Sequence, residues 1–231
     1  PVISHRCELA ALGPDAPLDS WELVLNPDNL AKLNKCGVAF LDSPTEIFAA
    51  ALLHLGKDPN STDVKDYQGE AKALLQKLAP SVTYFHSSKY IDDLAAGEIC
   101  VAIGWSGDIA QAKVDAEEAK NGVEVTYFIP KEGAQMFFDI LTIPKDAGNV
   151  DEAHAFINFL MQPEIAAENT NFIWFANPIP AATPLIDEEI TGDPSIYPPP
   201  EVVERLYIST IKTPKVDRAM NRAWTEIKTN Q

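Results

Sequence analysis

Ile99-Cys100-Val101-Ala102-Ile103-Gly104-Trp105-Ser106-Gly107-Asp108 is the stretch that decides the fold. Its first five residues form a near-continuous apolar run, the signature of a strand buried on both faces of a parallel sheet. Gly104 and Gly107 then break the run, and Asp108 to Asn121 reads as a helix stopped by Gly122. Working outward, the same alternation repeats. Upstream, Ser88 to Ala96 is helical and ends at Gly97, and Val82 to Phe85 reads as a strand. Further upstream, Glu70 to Leu78 is a helix stopped at Pro80. Ser43-Pro44-Thr45-Glu46 carries the marks of another helix start, with an N-cap, Pro at the first position and Glu at the third, and Gly56 follows its last turn. Downstream, Val123 to Ile129 alternates as a strand. Strands alternating with helices predict an α/β architecture.

The C-terminal half reads less regularly. Pro130-Lys131-Glu132-Gly133 is a turn between strands and a candidate domain crossover. Phe137-Phe138-Asp139 leads into Ile140-Leu141-Thr142-Ile143, a strand-like run. Asp151 to Met161 has the spacing of an amphipathic helix. From Asn177 to Pro200 proline recurs, ending in Pro198-Pro199-Pro200, which predicts an extended connection over the surface. Pro214 to Lys228 is a final helix with Val216, Met220, Trp224 and Ile227 on one face.

Composition narrows the function classes. The chain has 231 residues, 46% of them hydrophobic, enough for a sizeable core. No apolar run approaches the roughly 20 residues of a membrane span, and the opening Pro1-Val2-Ile3-Ser4-His5-Arg6 carries no signal peptide. A net charge of −16 argues against nucleic acid as a partner and raises the local concentration of cationic ligands. The motifs GxSxG, GxGxxG, HExxH and the Walker sequence are missing, and His5, His54, His86 and His154 stand at no metal-ligand spacing. No cofactor is implied. Asn60-Ser61-Thr62 matches a glycosylation acceptor, a triplet common by chance. The cysteines Cys7, Cys36 and Cys100 form no CxxC pair. Cys36 and Cys100 are compatible with either a bridge or two buried thiols.

Two places combine aromatic rings with a carboxylate: Trp105 with Asp108, and Phe137-Phe138 with Asp139. That pairing suits an organic ammonium, because the ring quadrupole attracts the cation and the carboxylate accepts its N–H bonds. Two such places suit the two ends of a diamine. The plainer reading is ordinary strand-end residues, with Asp108 capping the helix after Gly107 and Glu46 completing a capping box with Ser43.

The segments 36–44, 84–91 and 99–108 closely resemble the putrescine-binding periplasmic proteins of bacterial polyamine ABC transporters. So do Ile129-Pro130-Lys131-Glu132-Gly133-Ala134, Phe137-Phe138-Asp139, Ala181-Ala182-Thr183-Pro184-Leu185 and Arg222-Ala223-Trp224-Thr225. The resemblance runs from about Leu9 to the C-terminus. It implies a type II periplasmic binding protein, an α/β fold in which two lobes close on a ligand in the cleft between them. It implies Asp108 and Asp139 as the two ammonium sites, Trp105 and Phe137 as aromatic walls, Glu46 as a further acidic position, and Phe175 where relatives often carry a tyrosine. It pairs Cys36 with Cys100 and places the protein in the periplasm, with an inner-membrane ABC permease as partner.

Two departures qualify the match. Residues 1–7, which include Cys7, do not look like the family's glycine-rich strand, and the N-terminal segment that builds most of the first lobe has no counterpart. The expectation is therefore one nearly complete lobe, 1–127 with 187–231, and part of the second, 128–186. The leading function is capture of putrescine or a close polyamine for an ABC permease, without catalysis. The alternative is a truncated remnant with an incomplete pocket, binding weakly and exposing the apolar face around Phe137, Phe138, Ile140 and Leu141. An enzyme using paired carboxylates is a distant third. An extended four-carbon diamine, with one charge-assisted bond at each end, sets the Asp108 and Asp139 carboxylates roughly 10 Å apart.

Overall fold

The computed structural model describes residues 2–5, 12, 13 and 16–229; Cys7 lies outside them. The described chain forms two compact units, residues 1–136 with 200–231, and residues 137–199.

The large unit is built on strands β1 (Val2–His5), β2 (Val38–Phe40), β3 (Tyr84–Phe85), β4 (Val101–Ile103) and β5 (Val125–Phe128), in the order β3-β2-β4-β1-β5. Around them lie α1 (Glu22–Leu25), α2 (Pro27–Leu33), α3 (Pro44–His54), α4 (Val64–Gln68), α5 (Glu70–Leu78), α6 (Tyr90–Ala96) and α7 (Ser106–Ala119). β4 runs parallel to β2, which runs parallel to β3. On its other side β4 pairs antiparallel with β1, so the sheet is mixed. β1 also pairs antiparallel with β5. Residues 2–5 thus supply an interior strand, between β4 and β5.

Local chemistry explains the helix bounds. α3 starts after Ser43 with Pro44 at its first position. Its last turn closes with Gly56 N–H donating to the Leu53 carbonyl and Lys57 N–H to that of Leu52. α5 spans the residues that the sequence predicts, preceded by the short α4, which it does not. Three expected strands are shorter than predicted, β3 beginning at Tyr84, β4 at Val101 and β5 at Val125.

The core of the large unit is continuous. Phe40, Phe48, Tyr67, Tyr90, Leu52 and Trp224 are buried in it. Its rings pack edge-on, with centroids 5.0 Å apart for Phe85–Trp224 and 6.0 Å for Phe40–Phe85. Cys36 and Cys100 are joined, with Cα atoms 5.5 Å apart, as the resemblance implies.

A two-stranded parallel pair, β6 (Gln135–Met136) and β7 (Tyr207–Ile208), belongs to the same unit. α12 (Pro214–Lys228) closes it, with Val216, Met220, Trp224 and Ile227 buried along one face, matching the predicted spacing.

The small unit contains α8 (Val150–Leu160), α9 (Pro163–Ile173) and α10 (Glu188–Thr191). α11 (Pro200–Val203) follows it, within the large unit. Two expectations are corrected here. The run Ile140-Leu141-Thr142-Ile143 is not a strand, because among the described residues no strand runs beside it to accept its hydrogen bonds. The proline-rich stretch is not extended. It makes a 3₁₀ helix at Pro180–Leu185 and then α10, and buries Ala182, Ile186, Ile190 and Ile196 against Ala166 and Ala167 of α9. Proline at the first positions of short helical turns favours them as readily as an extended path.

Candidate functional site

Parallel strands point their carboxyl ends the same way, and helices that follow them begin at that edge. β2 and β4 are adjacent and parallel, so Asp42, Glu46 and Asp108, which follow them, gather at one edge of the sheet. Their electrostatic surroundings differ.

Asp42 is satisfied by the protein. Lys228 Nζ lies 2.7 Å from its Oδ1, and Trp224 Nε1 donates to the same oxygen at 2.9 Å. Burial alone would raise this carboxyl. The hydrogen bonds from Lys228 and Trp224 and the charge of Lys228 outweigh it and hold the group below its usual value.

Asp108 is arranged differently. It sits in the first turn of α7 but does not cap it; the N-cap is Trp105 and no side chain serves there. Its carboxylate instead accepts a 2.5 Å hydrogen bond from Tyr90 Oη, which in turn accepts from the Trp105 backbone N–H at 3.1 Å. Tyr90 is fully buried, and burial together with the Asp108 bond holds its hydroxyl far above the usual phenol range. Gly104 makes the arrangement possible. A Cβ there would lie 2.5 Å from the Tyr90 ring and 2.8 Å from Ile109 Cδ1. Burial pushes the half-buried Asp108 carboxyl up, and the Tyr90 hydrogen bond offsets only part of that. Among the described residues no cation pairs with Asp108. The indole of Trp105 is half-buried beside it in sequence.

Glu46 lies in the first turn of α3 and accepts a hydrogen bond from Ser43 Oγ. Ser43 Oγ donates to that carboxylate and caps no backbone N–H, so a side-chain bond stands in place of the expected capping box. Tyr207 and Lys212, both in the large unit, lie within Glu46's electrostatic reach.

In the small unit the structure brings Phe137 and Phe175 together, ring centroids 5.9 Å apart and nearly perpendicular. Phe175 directly follows Trp174, which ends α9 in the left-handed region at φ 58° and packs on the small core. A tryptophan there carries a conformational cost that its packing offsets. Asp139 is exposed, as is Phe138 at 57%. Asp108 and Asp139 belong to different compact units.

Sequence reasoning missed Tyr90, Trp174 and Lys212. Each acts through a contact distant in sequence, and no local pattern announces it. Among the described residues no group of three or more His, Cys, Asp or Glu side chains is placed to hold a metal ion, and no helix is long and apolar enough to cross a membrane.

Comparison with known proteins places this chain. The bacterial extracellular solute-binding protein model matches residues 9–198. The putrescine-binding periplasmic protein PotF of Escherichia coli (strain K12) is 53% identical over 222 residues, covering 96% of this chain and 60% of that protein. SpuD of Pseudomonas aeruginosa (strain UCBPP-PA14), also named a putrescine-binding periplasmic protein, is 57% identical over 96% of this chain and 60% of its own length. The chain thus spans 60% of the length of these curated relatives. A solved Listeria monocytogenes structure, provisionally described as a spermidine/putrescine ABC transporter, superposes with a TM-score of 0.85 at 28% identity, over 100% of this chain and 66% of that one. The fold is that of periplasmic solute-binding proteins, and the chain belongs to the bacterial extracellular solute-binding protein family.

Proposed function

We propose that this chain is a solute-binding protein that captures putrescine, or a close polyamine, in the periplasm and delivers it to an ABC permease. It works by binding, without catalysis. The observation that carries the reading is Asp108: a half-buried carboxylate with a tyrosine hydroxyl and no cation among the described residues, beside Trp105. Such a group lacks one charge-assisted partner, and an ammonium supplies it. The names of PotF and SpuD support the choice of ammonium ligand.

In this reading each unit contributes one set of carboxylate and rings. Asp108 takes one ammonium of the diamine, with Trp105 against the methylene chain. Asp139 takes the other, with Phe137 and Phe175 as a corner of two perpendicular rings. Tyr90 holds the Asp108 oxygen in place before the ligand arrives, which lowers the ordering cost of binding. Glu46 adds negative potential at the same sheet edge as Asp108.

Calorimetric titration of the full chain with putrescine is the direct test. Saturable binding at one diamine per chain, abolished when Asp108 and Asp139 are both replaced by asparagine, is the expected result. No binding, or binding that survives the double replacement, overturns the reading. A crystal structure of the complex is expected to place one ammonium on Asp108 and the other on Asp139.

A further inference from the structure

Tyr90, whose hydroxyl holds the Asp108 carboxylate, is the first residue of α6. Whatever fixes that end of α6 therefore bears on the acceptor. Lys89, which precedes the helix, offers no side-chain cap. The cap comes from His86. Its Nδ1 accepts from the Lys89 N–H at 2.9 Å and from the Ser88 N–H at 3.1 Å. Both partners are backbone donors, so Nδ1 is the unprotonated ring nitrogen and the proton sits on Nε2.

The same spacing recurs where α2 begins. There Asn26 Oδ1 accepts from the Asp28 and Asn29 N–H groups, two and three residues on, at 2.8 and 3.2 Å. The imidazole of His86 does for α6 what a capping amide does for α2. His86 is also tied to the sheet: its backbone N–H donates to the carbonyl of Phe40, the last residue of β2, at 3.0 Å. A second brace crosses the same turn. Tyr84 Oη donates to Asp93 of α6 at 2.6 Å, and Lys89 Nζ lies 3.1 Å from the same oxygen. His86 itself is exposed, so its ring caps the helix without belonging to the core.

We infer that His86 is a positioning residue for the Asp108 ammonium site: it locks the start of α6 to the edge of the sheet and so fixes where the Tyr90 hydroxyl meets the Asp108 carboxylate. The inference rests on the polyamine reading above. The path is short and continuous, from the Phe40 carbonyl through His86 and the Ser88 and Lys89 amides to Tyr90 and Asp108. Tyr90 Oη also accepts the Trp105 N–H, so a shift of the first turn of α6 loosens two contacts at once. Without the cap, two N–H groups at the helix start lose their acceptor and the first turn frays. The hydroxyl then meets Asp108 in only part of the population, and apparent affinity falls with that fraction.

The test combines calorimetry with putrescine and amide hydrogen exchange, both on the full chain. His86→Ala is expected to weaken putrescine about fivefold, the fold-change of one lost helix cap, and to lower exchange protection at the Trp105 amide. His86→Asn keeps an acceptor at the spacing seen at Asn26, and is expected to restore both. In a Tyr90→Phe background His86→Ala is expected to have no further effect on putrescine, because the hydroxyl through which the cap acts is gone. Full affinity in His86→Ala, an equal loss in the Tyr90→Phe background, or failure of His86→Asn to restore binding overturns the inference. A wild-type chain that binds no putrescine defeats the functional reading itself. Exchange at Trp105 then decides the positioning role alone, and intact protection in His86→Ala overturns it.

Discussion

The two compact units place their carboxylates in opposite settings. In the large unit Asp108 is half-buried, wired to Tyr90, and backed by a core in which Phe40, Phe48, Tyr67 and Tyr90 are essentially inaccessible. In the small unit Asp139 is exposed, α8 buries none of its residues, and Ile140 and Phe172 are 77% and 81% exposed. The difference is one of preorganisation. The large unit holds a fixed, partly desolvated charge before any ligand arrives, whereas in the small unit the fixed feature is the Phe137–Phe175 ring pair. A desolvated acceptor is worth more to a cation than a solvated one, because water competes less.

The largest break of the comparison is a matched pair of core truncations. Phe48→Ala empties a fully buried site packed on Tyr67 and Trp224, and is expected to cost about 3–5 kcal/mol in denaturant unfolding. Phe172→Ala removes the same ring from a side chain 81% exposed, and is expected to stay within about 0.5 kcal/mol. Similar losses for both would show that the small unit buries its apolar face in solution.

The disulfide comes next. It closes a sequence separation of 64 wholly inside the large unit. In the chain-entropy model, replacing both Cys36 and Cys100 by alanine costs roughly 4 kcal/mol. The loss should appear as a lowered unfolding midpoint of the large unit, with hydrogen exchange in α9 unaffected. Thiol counting of the unreduced, denatured protein should find one free cysteine, Cys7; three would reject the bridge.

Ligand binding sharpens the contrast at a smaller scale. Asp108→Asn is expected to weaken putrescine by about 100-fold, from the loss of a charge-assisted bond in a desolvated setting. Asp139→Asn, at an exposed position, is expected to weaken it by about tenfold. Asp108→Asn should not lower stability, since it removes a charge that burial disfavours. Equal effects of the two replacements would erase the proposed difference between the units.

The smallest effect is on pH. Burial raises the Asp108 pKa, so as pH falls the carboxyl takes up a proton earlier than an ordinary aspartate and loses its attraction for an ammonium. Putrescine affinity should therefore fall with pH through the range just above that of ordinary carboxylates, by at most tenfold per pH unit. Binding there should release protons, measurable as a buffer-dependent calorimetric enthalpy. The native state also holds this proton more tightly than the unfolded chain. Across the same range Asp108 therefore lowers stability as pH rises, and Asp108→Asn removes that slope. A flat affinity profile in that range would show that Asp108 is not the acceptor.

Elements with local signals were legible from the residues alone. α5 and α12 begin and end where proline, capping residues and apolar spacing place them, and α3 stops just before Gly56. The edge position of Asp108 and the pairing of Cys36 with Cys100 were legible too, the second through family resemblance rather than spacing. Tertiary structure alone decided the rest. Pairing of residues 2–5 between β4 and β5 depends on partners about a hundred residues away. The run at 140–143 has strand-like composition, yet a strand exists only where a second backbone accepts its hydrogen bonds, and none of the described strands does so. The proline-rich stretch folds into helical turns because α9 offers an apolar surface for Ile186 and Ile190. Likewise, the distinct electrostatic surroundings of Asp42 and Asp108 are invisible in two similar carboxylates. They follow from Lys228 and Tyr90, which only the fold brings to those carboxylates: a carboxylate's energy is set by the charges and the water around it, not by its neighbours in sequence.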